Sequence, residues 1–257
     1  MSVVNQHIED GILIITLNRP EKLNALNHEV LSSLSSVFNK AKEDTAIKGL
    51  IITGEGKAFC AGADIKRLAE CNAQTGYQFA RAGQDVFQQL ENLGKPSIAA
   101  VNGYAFGGGC ELAISATMRI ASDDAQFGQP EVKLGVIPGY GGTQRLARLI
   151  GKGRALDLCL TGRFIDAETA KHWGLVSEVI PQETLIYEAM RILKGITAMA
   201  PLAIASIIES INHGYNMSLS DGLHIEALHF ASMCASQDKQ EGVAAFLEKR
   251  PAQFTGS

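Results

Sequence analysis

The chain has 257 residues, 46% of them apolar and 19% charged, with a formal net charge of −4 at pH 7. That length and balance exclude wholesale disorder and supply the core of one large domain, or of a domain with a small appendage. The acidic balance, with a sequence pI near 5.9, offers no basic surface for nucleic acid or an anionic membrane.

The opening stretch, MSVVNQHIEDG, lacks the basic start and apolar core of a secretory signal, and no apolar run is long enough to span a bilayer. Residues 3–8 and 12–17 are apolar runs around Asp10-Gly11, a hairpin signal. Asn27 is placed to cap a helix reaching about Asp44, with Val30, Leu31, Leu34, Val37, Phe38 and Ala41 at helical spacing. Leu50 to Thr53 reads as a buried strand and Gly54 to Asp64 as a glycine-rich loop. A short helix is expected from Ile65 and a longer one over Ala80 to Leu93.

Pro96 to Met118 reads PSIAAVNGYAFGGGCELAISATM: a strand from Ser97 to Val101, a glycine turn, then a helix with Glu111 just inside it and the mostly apolar Leu112 to Met118 along it. A strand near Arg119 to Ala121 follows. Short helices are expected at 146–150, 155–160 and 167–173, with a strand at 176–180. From Gln182 the pattern is helical, with breaks at Pro201, His213-Gly214 and Ser236-Gln237. Alternating strands and helices followed by helices alone predict an α/β core, residues 1–195, with a helical appendage, residues 196–257. No close internal repeat is visible in the sequence.

Five scattered cysteines with no C-x-x-C pair support neither a disulfide framework nor a zinc knuckle, so a cytoplasmic, reducing location is expected. The six histidines lack metal-ligand spacing, and the glycine loops match neither dinucleotide nor P-loop patterns. Cys110 stands at a helix start beside Glu111, but no histidine shares its motif to activate it as a nucleophile.

Three stretches carry the chemistry. Gly107, Gly108 and Gly109 permit a sharp turn that exposes N–H groups at a helix start, where the peptide dipoles favour an anion, and Glu111 follows directly. In FGQPEVKLGVIPGYGG a second acid, Glu131, lies 20 residues further on, enough chain to leave the helix, add a strand and return. In KAFCAGADIK, small residues around Ala63 offer backbone donors of the kind that receive an oxyanion. Taken singly, each also reads as a structural turn or a solvated surface acid.

Together, PEKLNALN at 20–27, AFCAGADI at 58–65, AAVNGYAFGGGCELA at 99–113, FGQPEVKLGVIPGYGGTQRL at 127–146 and AFLEKR at 245–250 resemble the enoyl-CoA hydratase (crotonase) family, in order and along nearly the whole chain. The resemblance implies a spiral of ββα turns with a C-terminal helical region that mediates trimerisation, as a homotrimer or a hexameric dimer of trimers. It implies an acyl-CoA substrate and no separate cofactor, while the histidine spacing and acidic composition lead to the expectation of no metal and no nucleic-acid or membrane partner. By the same resemblance Ala63 and Gly108 are the two oxyanion donors, and Glu111 and Glu131 the acid/base pair that adds water to a 2-enoyl thioester. Gly139 helps hold the catalytic water and Gln129 supports Glu131. Lys22, Ala25, Lys57, Ala61, Asp64, Ile65 and Lys249 are the implied contacts to CoA, Lys249 from a neighbouring subunit. A Δ3,Δ2-enoyl-CoA isomerase, a hydratase for branched or aromatic acyl groups, and a non-catalytic RNA-binding relative are the competing readings. Tyr140 is a candidate lining of the acyl pocket, and Trp173 and Tyr187 candidates for core or subunit packing.

Overall fold

The computed structural model describes residues 2–257. Its first strands, β1 (Val4–Glu9) and β2 (Ile12–Leu17), pair antiparallel across a turn of two residues, Asp10 and Gly11, both at positive φ. Two consecutive positive-φ residues match the twist of the flanking strands, and Asp-Gly is the pair that tolerates them.

From β2 the chain rises in repeated turns. After α1 (His28–Glu43) come β3 (Gly49–Gly54) and β4 (Ala58–Cys60); after α2 (Ile65–Ala69) and α3 (Ala73–Glu91) come β5 (Ser97–Val101) and β6 (Tyr104–Phe106). After α4 (Gly108–Ser115) come β7 (Met118–Ser122) and β8 (Gln126–Gly128). Each turn thus places one strand in a six-stranded sheet and the next in a four-stranded sheet. A 3₁₀ turn (Pro130–Leu134), α5 (Gly142–Ile150), α6 (Lys152–Thr161), β9 (Phe164–Asp166), α7 (Ala167–His172) and β10 (Glu178–Ile180) complete the α/β core, and α8 (Leu185–Thr197), α9 (Pro201–Gly214), α10 (Leu219–Cys234) and α11 (Gln237–Glu248) follow. The large sheet runs β1-β2-β3-β5-β7-β10 and is parallel beyond β2; the small one runs β4-β6-β8-β9, with β9 antiparallel.

Side-chain alternation along these strands feeds two cores. Leu13, Ile15 and Leu17 of β2, Leu50 and Ile52 of β3, and Ala99 and Val101 of β5 face inward against α1, α3 and α4. Their alternates, Ile12, Ile14, Ile51, Ile98, Ala100 and Ile120, meet Leu185, Ala189, Met190 and Leu193 of α8, which covers the outer face. Asn27 caps α1 by accepting from Val30 N at 2.9 Å, as its sequence position predicts.

Where structure and expectation differ, the causes are local. The strands of the small sheet, β4, β6, β8 and β9, are three residues each, too short for a period-two pattern, and they lie where the sequence reads as loop. Helix α3 begins at Ala73, seven residues before the expected Ala80, because Asn72 and Thr75 form a capping box. Helix α4 begins at Gly108, so two glycines lie inside its first turn, and it ends at Ser115, short of the expected Met118. Tyr187 is exposed, whereas Trp173 packs on the core. Among the described residues no single helix is long and apolar enough to cross a membrane.

Asn102 ties the turns together at the ends of β3 and β5. Buried, it accepts from Thr53 Oγ1 at 3.2 Å and Gly54 N at 2.9 Å, and donates to Gly56 O at 2.9 Å. Replacing it by alanine leaves buried polar groups without partners, so Asn102→Ala is expected to cost roughly 2–4 kcal/mol. A lowered urea midpoint at unchanged slope is the measurement; an unchanged midpoint refutes the assignment.

Candidate active site

The glycine turn works by steric permission. Gly107 has φ 50°, and a Cβ on Gly109 would fall on the Cys60 carbonyl, so only glycine lets the first turn of α4 press against the end of β4. That contact fixes two amides. Residue 63 forms a parallel bridge with Leu26 in which Leu26 N donates to Gly62 O and Asp64 N donates to Leu26 O, at 2.8 and 2.9 Å. In such a bridge the N–H of Ala63 itself points away from Leu26. On that other side stands Gly108, whose Cβ direction lies 3.3 Å from Ala63 N. As the first residue of α4, Gly108 presents an N–H that no preceding helical carbonyl can accept.

Glu111, one turn into α4, is 1% exposed. Its Oε1 accepts from Tyr140 N at 2.8 Å and Gly142 N at 2.7 Å. Tyr140 lies between the 3₁₀ turn and α5 and Gly142 is the first residue of α5, and a Cβ on Gly142 would press on the Glu111 side chain at 3.0 Å. Burial pushes the Glu111 carboxyl up to about 8, and the neighbouring Glu131 adds to the rise, while the two amides and Arg145 oppose it.

Glu131 sits at the second position of the 3₁₀ turn, preceded by Pro130. Burial raises its carboxyl to about 7. Gln129 is fully buried, and with its carboxamide nitrogen turned toward Glu131 it donates to both carboxylate oxygens, at 3.1 and 3.2 Å. A Cβ on Gly107 would lie 2.5 Å from Glu131 Oε1, which puts this acid against the same glycine turn. Cys110 is buried, and burial together with both acids pushes its thiol far up, which suits packing and not nucleophilic attack.

Ala63, Gly108, Glu111, Glu131, Gly139 and Tyr140 line one cavity of about 740 Å³. The rest of its wall is mainly apolar: Leu68 and Phe79 stand on the α2–α3 side, and Leu134, Val136 and Ile137 on the other. Ile65, Leu134 and Ile137 are exposed, giving the mouth an apolar rim. The Tyr140 ring is packed between Phe79 and Phe87, with centroids at 5.2 and 5.6 Å, and rests on Gly83, where a Cβ would strike it.

The CoA candidates divide. The segment holding Lys22 and Ala25 runs beside Ala61 and Asp64: Ala61 N donates to Leu23 O at 2.9 Å, Arg19 Nη1 to Ala25 O at 2.6 Å, and Arg19 lies 3.9 Å from Asp64. Ile65 and Ala63 reach the cavity itself. Lys57 is exposed in the turn before β4. Lys249 is an exposed left-handed cap on α11, outside the cavity lining. Sequence reasoning missed the amides of Tyr140 and Gly142 and the role of Arg19; a glycine pair flanking a tyrosine carries no donor signature until the fold folds it onto Glu111.

The site has an architectural regularity. Ala63 follows β4, Gly108 and Glu111 follow β6, and Glu131 follows β8, so successive turns of the spiral each deliver a group from the carboxyl end of a small-sheet strand.

Comparison with known proteins agrees with this architecture. The family model described as enoyl-CoA hydratase/isomerase matches residues 7–257. A short-chain-enoyl-CoA hydratase of Clostridium acetobutylicum is 43% identical over 243 residues, covering 94% of this chain and 93% of the relative. A crotonyl-CoA hydratase of Syntrophomonas wolfei is 43% identical over 247 residues, covering 96% and 95%. The crystal structure of an enoyl-CoA hydratase from Bacillus anthracis superposes with a TM-score of 0.95 at 37% identity, covering 99% of this chain and 100% of that one. A spiral of ββα turns carrying two glutamates on one cavity and two adjoining backbone donors, matched over nearly its full length by these relatives, makes this chain a member of the enoyl-CoA hydratase/isomerase family.

Proposed function

We propose that the protein is an enoyl-CoA hydratase, adding water reversibly across the 2,3-double bond of a 2-enoyl-CoA thioester to give the 3-hydroxyacyl-CoA. The observation that carries this reading is the meeting of two carboxyls, buried Glu111 and half-buried Glu131, with the Ala63 and Gly108 amides in one apolar cavity. Attack of water on C3 drives the π electrons onto the thioester oxygen, and the two amides receive the charge, each donor being worth about 3–4 kcal/mol in the transition state. With Oε1 of Glu111 held by two N–H groups, Oε2 takes the proton that water loses as its oxygen bonds to C3. Glu131 delivers a proton to C2, and Gln129 orients it. Dehydration runs the same steps backwards.

Burial raises both carboxyls and the charge of Glu131 adds to the rise at Glu111, so the pair works with one proton between two acids, which is what simultaneous acid and base roles require. An isomerisation needs only to move a proton between two carbons and has no use for a second, water-activating acid. The net reaction changes no oxidation state of a cofactor and calls for none. Lys22, Ala25, Lys57, Ala61, Asp64 and Ile65 form the CoA side, with Lys249 supplied by a neighbour. Five unbridged cysteines suit a cytoplasmic, reducing location.

The oligomer is a trimer or a pair of trimers built on the C-terminal helices. Leu223, Ala227, Phe230 and Ala231 of α10 are all exposed in the single chain, Phe230 at 71%, and α9 and α10 bury no residue fully. Such a contiguous apolar surface needs covering. Light scattering is expected to give three or six times the 27.5 kDa chain mass; a monomer refutes the assignment.

Crotonyl-CoA is expected to lose its conjugated enoyl-thioester absorbance on incubation with the pure protein. Glu111→Gln and Glu131→Gln should each lower kcat by about 10²–10⁴-fold while KM changes little. Wild-type protein that turns over no 2-enoyl-CoA, or Gln variants that keep full rate, defeats the reading.

The raised carboxyls also carry a stability signature. A group held above its unfolded pKa keeps more protons folded than unfolded, so stability falls as pH rises from about 4.5 to about 8. The double variant Glu111→Gln/Glu131→Gln removes that loss. Its Tm at pH 8.5 should exceed wild type by roughly 2–4 °C per kcal/mol recovered, with the gap closing at pH 5. A variant no more stable at pH 8.5 contradicts the burial argument.

A further inference from the structure

Behind the turn that holds Glu111 lies a charged pair that the hydration steps do not use. Arg145, in the first half of α5, donates Nε and Nη2 to Glu91 Oε2 at 3.2 and 2.8 Å, and Nη1 to the Tyr140 carbonyl at 3.1 Å. Tyr140 is the residue whose own N–H donates to Glu111 Oε1. One guanidinium fork therefore grips one side of a residue whose other side grips the acid. Gly141, at φ 115°, admits it: a Cβ there would fall on Arg145 Nη1. Glu91 ends α3, and its carbonyl accepts from Asn212 Nδ2 of α9 at 2.9 Å, so the anchor is itself fixed from two directions. Side-chain exposures of 16% and 32% for Arg145 and Glu91 shield the pair from much of the screening that weakens surface bridges.

We propose that Arg145, held by Glu91, is a positioning residue that fixes the turn at 140–142 so that its two amides converge on Glu111 Oε1. The inference rests on Glu111 being the base of the hydration reaction. Geometry requires the fork: three N–H groups on one side chain span two acceptors on different elements, which a lysine ammonium cannot reproduce in one plane. Charge adds a second effect. Glu111 has Glu131 across from it on the 3₁₀ turn, Cys110 beside it on α4, Cys159 from α6 and the Tyr140 hydroxyl from the turn, and Arg145 is the cation that draws it toward ionisation. Glu91 tempers that cation. Removing Arg145 and removing Glu91 must then move the titration of Glu111 in opposite directions, up and down in pH respectively. A purely structural brace would damage the fold alike from either end.

The test measures crotonyl-CoA kinetics across pH for wild type, Arg145→Gln, Arg145→Lys and Glu91→Gln. Alongside, the protonated-carboxyl infrared band that Glu111→Gln abolishes is titrated in each variant. Arg145→Gln is expected to lose kcat by about 10–100-fold, with KM within about threefold, and to move the band's midpoint up. Glu91→Gln should move it down, and Arg145→Lys, which keeps the charge but not the fork, should move it up by less than Arg145→Gln does, with kcat still depressed. If Arg145→Gln does not fold, the lysine and Glu91 variants decide. Unchanged kcat and midpoint in the Arg145 variants, or midpoints moving in the same direction for Arg145→Gln and Glu91→Gln, overturns the proposal. A wild type without hydratase activity whose infrared midpoints still move oppositely refutes the hydratase reading and leaves the positioning of Glu111 standing.

Discussion

A carboxyl taken out of water holds its proton unless dipoles of fixed direction replace the solvent. Glu111 is buried to 1% exposure, and its replacement solvent is two peptide N–H groups aimed at one oxygen. Most of what is unusual in this chain follows from delivering those amides, and two more at Ala63 and Gly108, to one apolar cavity. The amides belong to segments separated by dozens of residues, so only a fold that returns the chain repeatedly to the same place can assemble them.

That return depends on close approach to bare backbone, by another backbone or by a buried side chain. Gly109 against the Cys60 carbonyl, Gly142 against the Glu111 side chain and Gly107 against Glu131 mark the places where any Cβ would hold the segments apart. The glycine turn before α4 is therefore less a flexible hinge than a contact surface, and its rigidity comes from what it touches. Burial of two acids there opposes stability at neutral pH, and the well-packed sheets and α8 offset it elsewhere.

Much of this was legible in the amino-acid order. The hairpin at Asp10-Gly11, the Asn27 cap, the buried strands and the helical C-terminal third follow from local rules that the fold obeys. The two glutamates were legible through their glycine-rich surroundings, and their joint placement through the resemblance of several motifs in order. The small sheet was not, because three-residue strands such as Tyr104–Phe106 owe their pairing to partners far along the chain. Nor were the donors to Glu111: an N–H at Tyr140 looks like any other until position 111 lies beneath it. Arg145 escaped for the same reason, since an arginine in an amphipathic helix reads as surface charge until Glu91 and the Tyr140 carbonyl are seen around it.

The repeat that the sequence hides has a consequence for how this catalyst can vary. Because Ala63 follows one rung of the small sheet, Gly108 and Glu111 the next and Glu131 the third, the functional groups are spread over three turns of the spiral. Substituting or resizing one inter-strand segment exchanges one tool while the neighbouring rungs keep their register. The scaffold is in that sense a holder with separate slots, in which the thioester grip shared by two turns can be retained while the proton chemistry of the third, which carries Glu131, is rewritten.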